Sequence, residues 1–167
     1  MDNALVEKLI EVLNKEADIY DDILKLSKNK TNVVVEGKVT ELENIVKLEQ
    51  TLVLKMGQLE GIREELIGKI SAQLAIEPSK ITLSELTKLL KADEAESLKK
   101  VHTRLSGMLN ELKTTNQLNT KLIKNSLDYI DFSLNLMTST NVLTANNYSN
   151  SGTVGTAGKR SLFDVKL

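Results

Sequence analysis

Apolar residues recur at alternating spacings of four and three through most of this chain, and the pattern breaks at Gly37 and again near Pro78. That period belongs to α-helices lying nearly parallel to a neighbouring helix. In the first block Leu5, Leu9, Val12, Glu16, Ile19, Ile23, Leu26, Lys30 and Val33 form the seam, widened by Val6, Leu13 and Tyr20. Gly37 ends it, because glycine takes the left-handed conformation of a helix C′ position without steric cost. The three valines before it are poor helix formers, so a loose last turn is expected. A second block follows at once through Leu42, Ile45, Glu49, Leu52, Met56, Leu59, Arg63, Leu66 and Ile70, with Val46, Val53 and Ile67 alongside. Thr40 and Glu43 have capping-box spacing at its start. A turn this short folds the two helices into an antiparallel hairpin.

The chain's one proline, Pro78, stops the second block. TLSELTKLL then predicts a short helix, with Thr82 and Glu85 at capping-box spacing. Asp93 and Glu96 open a third long helix whose stripe runs Leu98, Val101, Leu105, Met108 and Leu112. Near Asn119 the stripe shifts to Ile123, Leu127, Ile130, Leu134 and Met137, a stutter that would unwind a supercoil locally. From Thr138 onward Ser, Thr, Asn and Gly dominate and no period persists, which leaves too little apolar area to offset ordering. The expected fold is all-α: an antiparallel helical hairpin packed on a long third helix. It forms an elongated, coiled-coil-like bundle over residues 1–137, with a disordered, flexible C-terminal tail over 138–167.

Composition narrows the function classes. The chain has 167 residues, 27% of them charged and 3% aromatic, with no Cys, which suits long helices and excludes disulfides and thiolate metal sites. A net charge of −1 offers no basic face for nucleic acid or anionic lipid. No apolar stretch approaches the roughly 20 residues needed to span a bilayer, so membrane insertion is not expected. The amphipathic start, with acids early, is unlike a signal peptide, and a cytoplasmic location is the expectation.

Catalytic chemistry has little to build on. One His and no Cys leave few routes to a metal or nucleophilic site, so no cofactor and no enzymatic role are expected. Gly57, Gly61 and Gly68 sit in a helical pattern without the Lys-Ser/Thr of a phosphate loop. They read as a softened helix, with close approach of a partner helix as the sharper alternative. Glu16, Glu49 and Arg63 interrupt apolar seams, where charges are costly unless paired. Glu49 and Arg63 lie roughly 21 Å apart along one helix and cannot pair, whereas the hairpin can bring Arg63 near the N-terminal half of the first helix. A register-setting ion pair is favoured over acid–base chemistry. VHTRLSG resembles the segment around the reactive histidine of phosphotransfer bundles, with Arg104 and Gly107 after His102. The glycine comes one residue late and His102 sits beside the apolar stripe, so this remains a rival reading, as does a self-associating structural coiled coil.

The third helix is apolar on more of its circumference than one contact needs. By sequence it runs to about 45 residues, roughly 68 Å, against roughly 50 Å for each of the first two. Leu122, Ile123, Leu127, Ile130, Phe132, Leu134 and Met137 are the candidate surface for a partner helix, since large apolar patches mark interaction sites. Bending of the helix, or a homodimer, would cover the same residues. Asn116 and Asn119, spaced i, i+3 near the seam, suit either a polar layer that sets register or the capping of a partner's carbonyls.

Taken in order, four segments resemble the FlgN family of flagellar type III export chaperones. VVVEGKVTELENIVKLEQ is similar to its apolar run, Gly, turn and acidic restart. QLEGIREEL, with Glu60 and Arg63, resembles its Glu-x-x-Arg stretch. NQLNTKLIKNSL, with Asn116 and Asn119, resembles its Asn-x-x-Asn-x-x-Leu-Leu segment. Tyr148 and Gly152 in NNYSNSGTVG fall where members carry a Tyr and then a Gly. Lys38 stands where an Asp is commoner, and Ser149 where Gly often follows the tyrosine. The resemblance implies a chaperone that binds the C-terminal amphipathic helices of the hook–filament junction (hook-associated) proteins. It would prevent premature assembly by the helix-in-groove mode. It also implies delivery to the cytoplasmic domain of the flagellar export gate, with Tyr148 and Gly152 as the docking contact.

Overall fold

The computed structural model describes residues 3–145. Helix α1 spans Asn3–Val35 and α2 spans Val39–Leu74. A 3₁₀ turn over Pro78–Lys80 and the short helix α3, Leu83–Leu89, lead into α4, Ala92–Ala145. The described residues contain helices and turns and no strand, as the period of the sequence requires. Packing divides the chain into two units, residues 1–126 and 127–167.

Gly37 closes α1 with φ +67°, and the chain around it forms a Schellman motif. The Lys38 N–H donates to the Val33 carbonyl at 3.0 Å, and the Gly37 N–H to the Val34 carbonyl at 3.2 Å. The valine run holds its helix, because Val33 is buried and its packing overrides its propensity. Helix α2 then begins at Val39 with Lys38 as its N-cap and no side-chain cap bond. Thr40 and Glu43 therefore form no capping box; the helix has already started before Thr40 can serve as its cap. Thr82 and Glu85 do form one at the start of α3. Helix α2 stops at Leu74, ahead of the proline, with Ala75 in the left-handed conformation at φ 52°. Helix α4 opens at Ala92, where Glu94 accepts from the Lys91 N–H. It continues to Ala145, past the boundary expected at residue 137. The tail expected beyond it lies, from residue 146, outside the described residues.

In the first unit α2 runs antiparallel to α1, and α4 runs parallel to α1. Arg104 meets Asp18 and Glu111 meets Lys28 in the same chain direction. Every residue assigned to the α2 seam, from Leu42 to Ile70, is buried or half-buried. The apolar cluster draws on Leu9, Val12 and Ala17 of α1, Leu66 and Ile70 of α2, Leu86 of α3, and Leu98 and Val101 of α4. That places it at the end of the bundle where α1 begins, α2 finishes and α3 packs. The covered face of α4 keeps its three–four spacing through Leu112, Thr115, Asn119 and Leu122. The shift expected near Asn119 is absent from the covered face as far as Leu122, because Thr115 and Asn119 are seam members that an apolar count passes over.

The two left-handed positions generate a paired prediction. Gly37→Ala should cost about 1 kcal/mol, and Ala75→Gly should stabilise by about 0.5–1 kcal/mol, since a Cβ is penalised in that conformation. Urea unfolding of both variants beside the parent checks the opposite signs.

Candidate functional site

Two ion pairs cross the hairpin. Glu16, only 5% exposed, accepts from Arg63 Nε at 3.1 Å, and Arg63 Nη2 reaches Glu60 at 3.0 Å. Further along, Lys30 pairs with Glu49, and both side chains are largely buried. Fourteen residues, two heptads, separate Glu16 from Lys30 and likewise Glu49 from Arg63, so one register satisfies both. Burial pushes the Glu16 carboxyl above its ordinary value, against the pull of the Arg63 guanidinium. Burial also raises the Tyr20 phenol, with the Glu16 charge adding to it.

A polar layer joins α1 to α4. Ser27 is fully buried and Asn119 is 3% exposed. Ser27 Oγ donates to Asn116 Oδ1 at 2.7 Å, and Thr31 Oγ1 donates to Asn119 Oδ1 at 2.6 Å. Asn119 Nδ2 donates to the Ser27 carbonyl at 2.8 Å. Ser27 and Thr31 were not singled out by the sequence, although Ala17, Leu24, Ser27 and Thr31 repeat at seven, three and four. That spacing marks a second stripe on α1, which faces α4 while the first stripe faces α2. Among the described residues no buried side-chain nitrogen or oxygen lacks a hydrogen-bond partner.

Between these contacts lies a groove of about 660 Å³. Tyr20, Ile23 and Lys30 of α1 line it with Val53, Met56 and Gly57 of α2 and Leu112, Asn119 and Ile123 of α4. A Cβ built on Gly57, Gly61 or Gly68 meets nothing within 4 Å, so these glycines face open space. His102 is exposed, at the edge of a smaller cavity of about 160 Å³ lined mainly by leucines and isoleucines. No group of acidic, His or Cys side chains among the described residues could hold a metal ion.

The candidate partner surface divides. Leu122 and Ile123 are half-buried in the first unit, with Ile123 on the wall of the groove. In the second unit Leu127 is 57% exposed and Phe132 64%, and Ile130, Leu134 and Met137 are exposed as well. Leu127, Ile130, Leu134 and Met137 follow one another at spacings that keep them on one side of the helix. Tyr148 and Gly152 lie outside the described residues.

The family described as FlgN protein matches residues 1–156 of this chain. Among curated proteins, the uncharacterized protein YvyG of Bacillus subtilis (strain 168) is 30% identical over 162 residues, covering 95% of this chain and 96% of its own. No solved structure matches it. None of the described helices is long and apolar enough to cross a membrane.

The position of Glu16 fixes the sign of a pH effect. A carboxyl held above its ordinary value of 4.5 in the folded state favours folding below that pH. The contribution fades as pH rises through the raised value. Glu16→Gln abolishes this term, whereas the lysine-paired carboxylates, such as Glu11 and Glu65, remain in both proteins and cancel. The stability of Glu16→Gln relative to the parent should therefore improve as pH is raised from about 4.5 towards 7. Urea midpoints across that range measure it, and a difference that runs the other way would mean that pairing outweighs burial.

Proposed function

The chain belongs to the FlgN family of flagellar export chaperones, and from that premise we propose that it binds the C-terminal amphipathic helices of hook–filament junction proteins. These segments have apolar faces that are covered only in the assembled filament, and a chaperone helix can cover them until export. The observation that carries this reading is the exposure of Leu127, Ile130 and Leu134 on one side of an uninterrupted helix, with Phe132 exposed on another. Fully covering each such side chain is worth about 1.5–3 kcal/mol. Association itself costs an estimated 4–15 kcal/mol, which four anchors offset only in large part, so capture is reversible and draws on further contacts. Burial of apolar area is all that is required; the family is not an enzymatic one. The client complex is held in the cytoplasm and handed to the cytoplasmic domain of the export gate.

In this reading client capture belongs to residues before 138 and gate docking to Tyr148 and Gly152 after it. Asn116 and Asn119 serve as the layer that sets the register of α4, in keeping with their bonds to Ser27 and Thr31. Calorimetric titration with C-terminal peptides of junction proteins should give saturable binding, lost when the last helix of the client is removed. Leu127→Asp combined with Ile130→Asp should weaken that binding at least about tenfold, because two anchors are withdrawn. Unchanged affinity in a folded double variant would sink the assignment of the surface. A tight self-associated dimer blind to every client would favour the structural coiled coil instead. Tyr148→Ala should weaken docking to the gate and leave client affinity as it was.

A further inference from the structure

The packing of α4 on α1 changes character at Ser106 and Gly107. Before them Leu98 and Val101 sit in the apolar cluster, and Leu105 and Met108 border it. After them polar ties to α1 join the half-buried Leu112 and Leu122: the exposed Lys28–Glu111 pair and the bonds that link Ser27 and Thr31 with Asn116 and Asn119. We propose that Ser106–Gly107 is a hinge and this polar layer a latch. The α4 stretch over 109–126 lifts from α1 and reseats, widening the groove, while the apolar end stays closed.

Three features support the hinge and latch. Separating an apolar layer re-exposes carbon surface at about 25 cal/mol per Å², with nothing returned by water. Separating a hydrogen-bonded layer exchanges each bond for one to water, at a net cost of only about 1 kcal/mol per bond. Here the solvent is already at hand, because the groove reaches Asn116 and Asn119 directly. The hinge has its own signature, since sharp bends in helices concentrate at Gly/Ser pairs. A Cβ on Gly107 would meet nothing within 4 Å, so glycine is not there to admit a close neighbour. Backbone freedom is the property it contributes.

Opening at the latch needs no client, so it can be measured in the free chain. The chain has no cysteine, so pairs of spin labels can be placed without background. Lys25→Cys with Gln117→Cys spans the polar layer, and Lys8→Cys with Lys99→Cys spans the apolar end. Distances measured in the full chain should show a minor, longer population at the first pair and a single population at the second. Asn119→Ala should raise the longer population about fivefold for each hydrogen bond lost. Gly107→Ala, which fits without steric conflict and stiffens the helix, should lower it. A single distance at both pairs, unmoved by either variant, would overturn the proposal, as would equal broadening at both. If Asn119→Ala does not fold, the parent and Gly107→Ala decide the question by themselves.

Discussion

A carboxylate that is almost wholly covered must be met by a cation, and in this protein that requirement fixes the hairpin. Glu16 finds Arg63 across the seam, and the same register brings Lys30 to Glu49 two heptads away. A slip of one heptad would leave both carboxylates facing apolar neighbours, at a cost of several kcal/mol each. Apolar seams alone tolerate such slips, because one leucine replaces another. The ion pairs remove that degeneracy, and the position of the apolar cluster follows from the register they impose.

With the hairpin fixed, α1 becomes a central element that serves two partners with two stripes. One carries Glu16 and Lys30 and meets α2; the other carries Ser27 and Thr31 and meets α4. Close packing is concentrated where α3 supplies Leu86 to the cluster. Towards the other end the polar layer and the groove lie beside buried Leu24, Val33 and Ile45, which stand outside that cluster. The result is a bundle whose cohesion differs from end to end, and local opening is drawn from the less cohesive parts of a structure.

The helices were legible because the period of apolar residues is a strong signal over long blocks. The α2 seam was read residue by residue, and the pairing of Arg63 with the N-terminal half of α1 followed from the hairpin. The polar layer was only half legible. Asn116 and Asn119 drew attention on α4, but Ser27 and Thr31 did not, since a serine or threonine in a helix usually folds its hydroxyl back on its own turn. The same blindness produced the apparent stutter, for a count of apolar residues cannot register a seam that passes through Thr115 and Asn119. The groove was not legible at all. It arises from the separation of α2 and α4 around α1, a distance that no single helix encodes.

The hydroxyls of α4 bear on how its apolar face can be used. Ser126, Ser133, Thr138 and Ser139 each donate to a carbonyl within their own helix. Their hydrogen bonds are thus met locally and need no partner's groups. The stretch from Leu127 to Leu134 presents the carbon surface of Leu127, Ile130, Phe132 and Leu134 beside the carboxylates of Asp128 and Asp131. The carbon contacts are non-directional, so in the proposed reading a related apolar helix can be accepted without matching its polar groups one for one. Polar specificity resides instead within the first unit, in the ion pairs and the Asn119 layer, where it acts on the chaperone's own register. If the proposed client surface is the one used, the demand for a unique fold and the demand for adaptable, reversible contact fall on different stretches of chain.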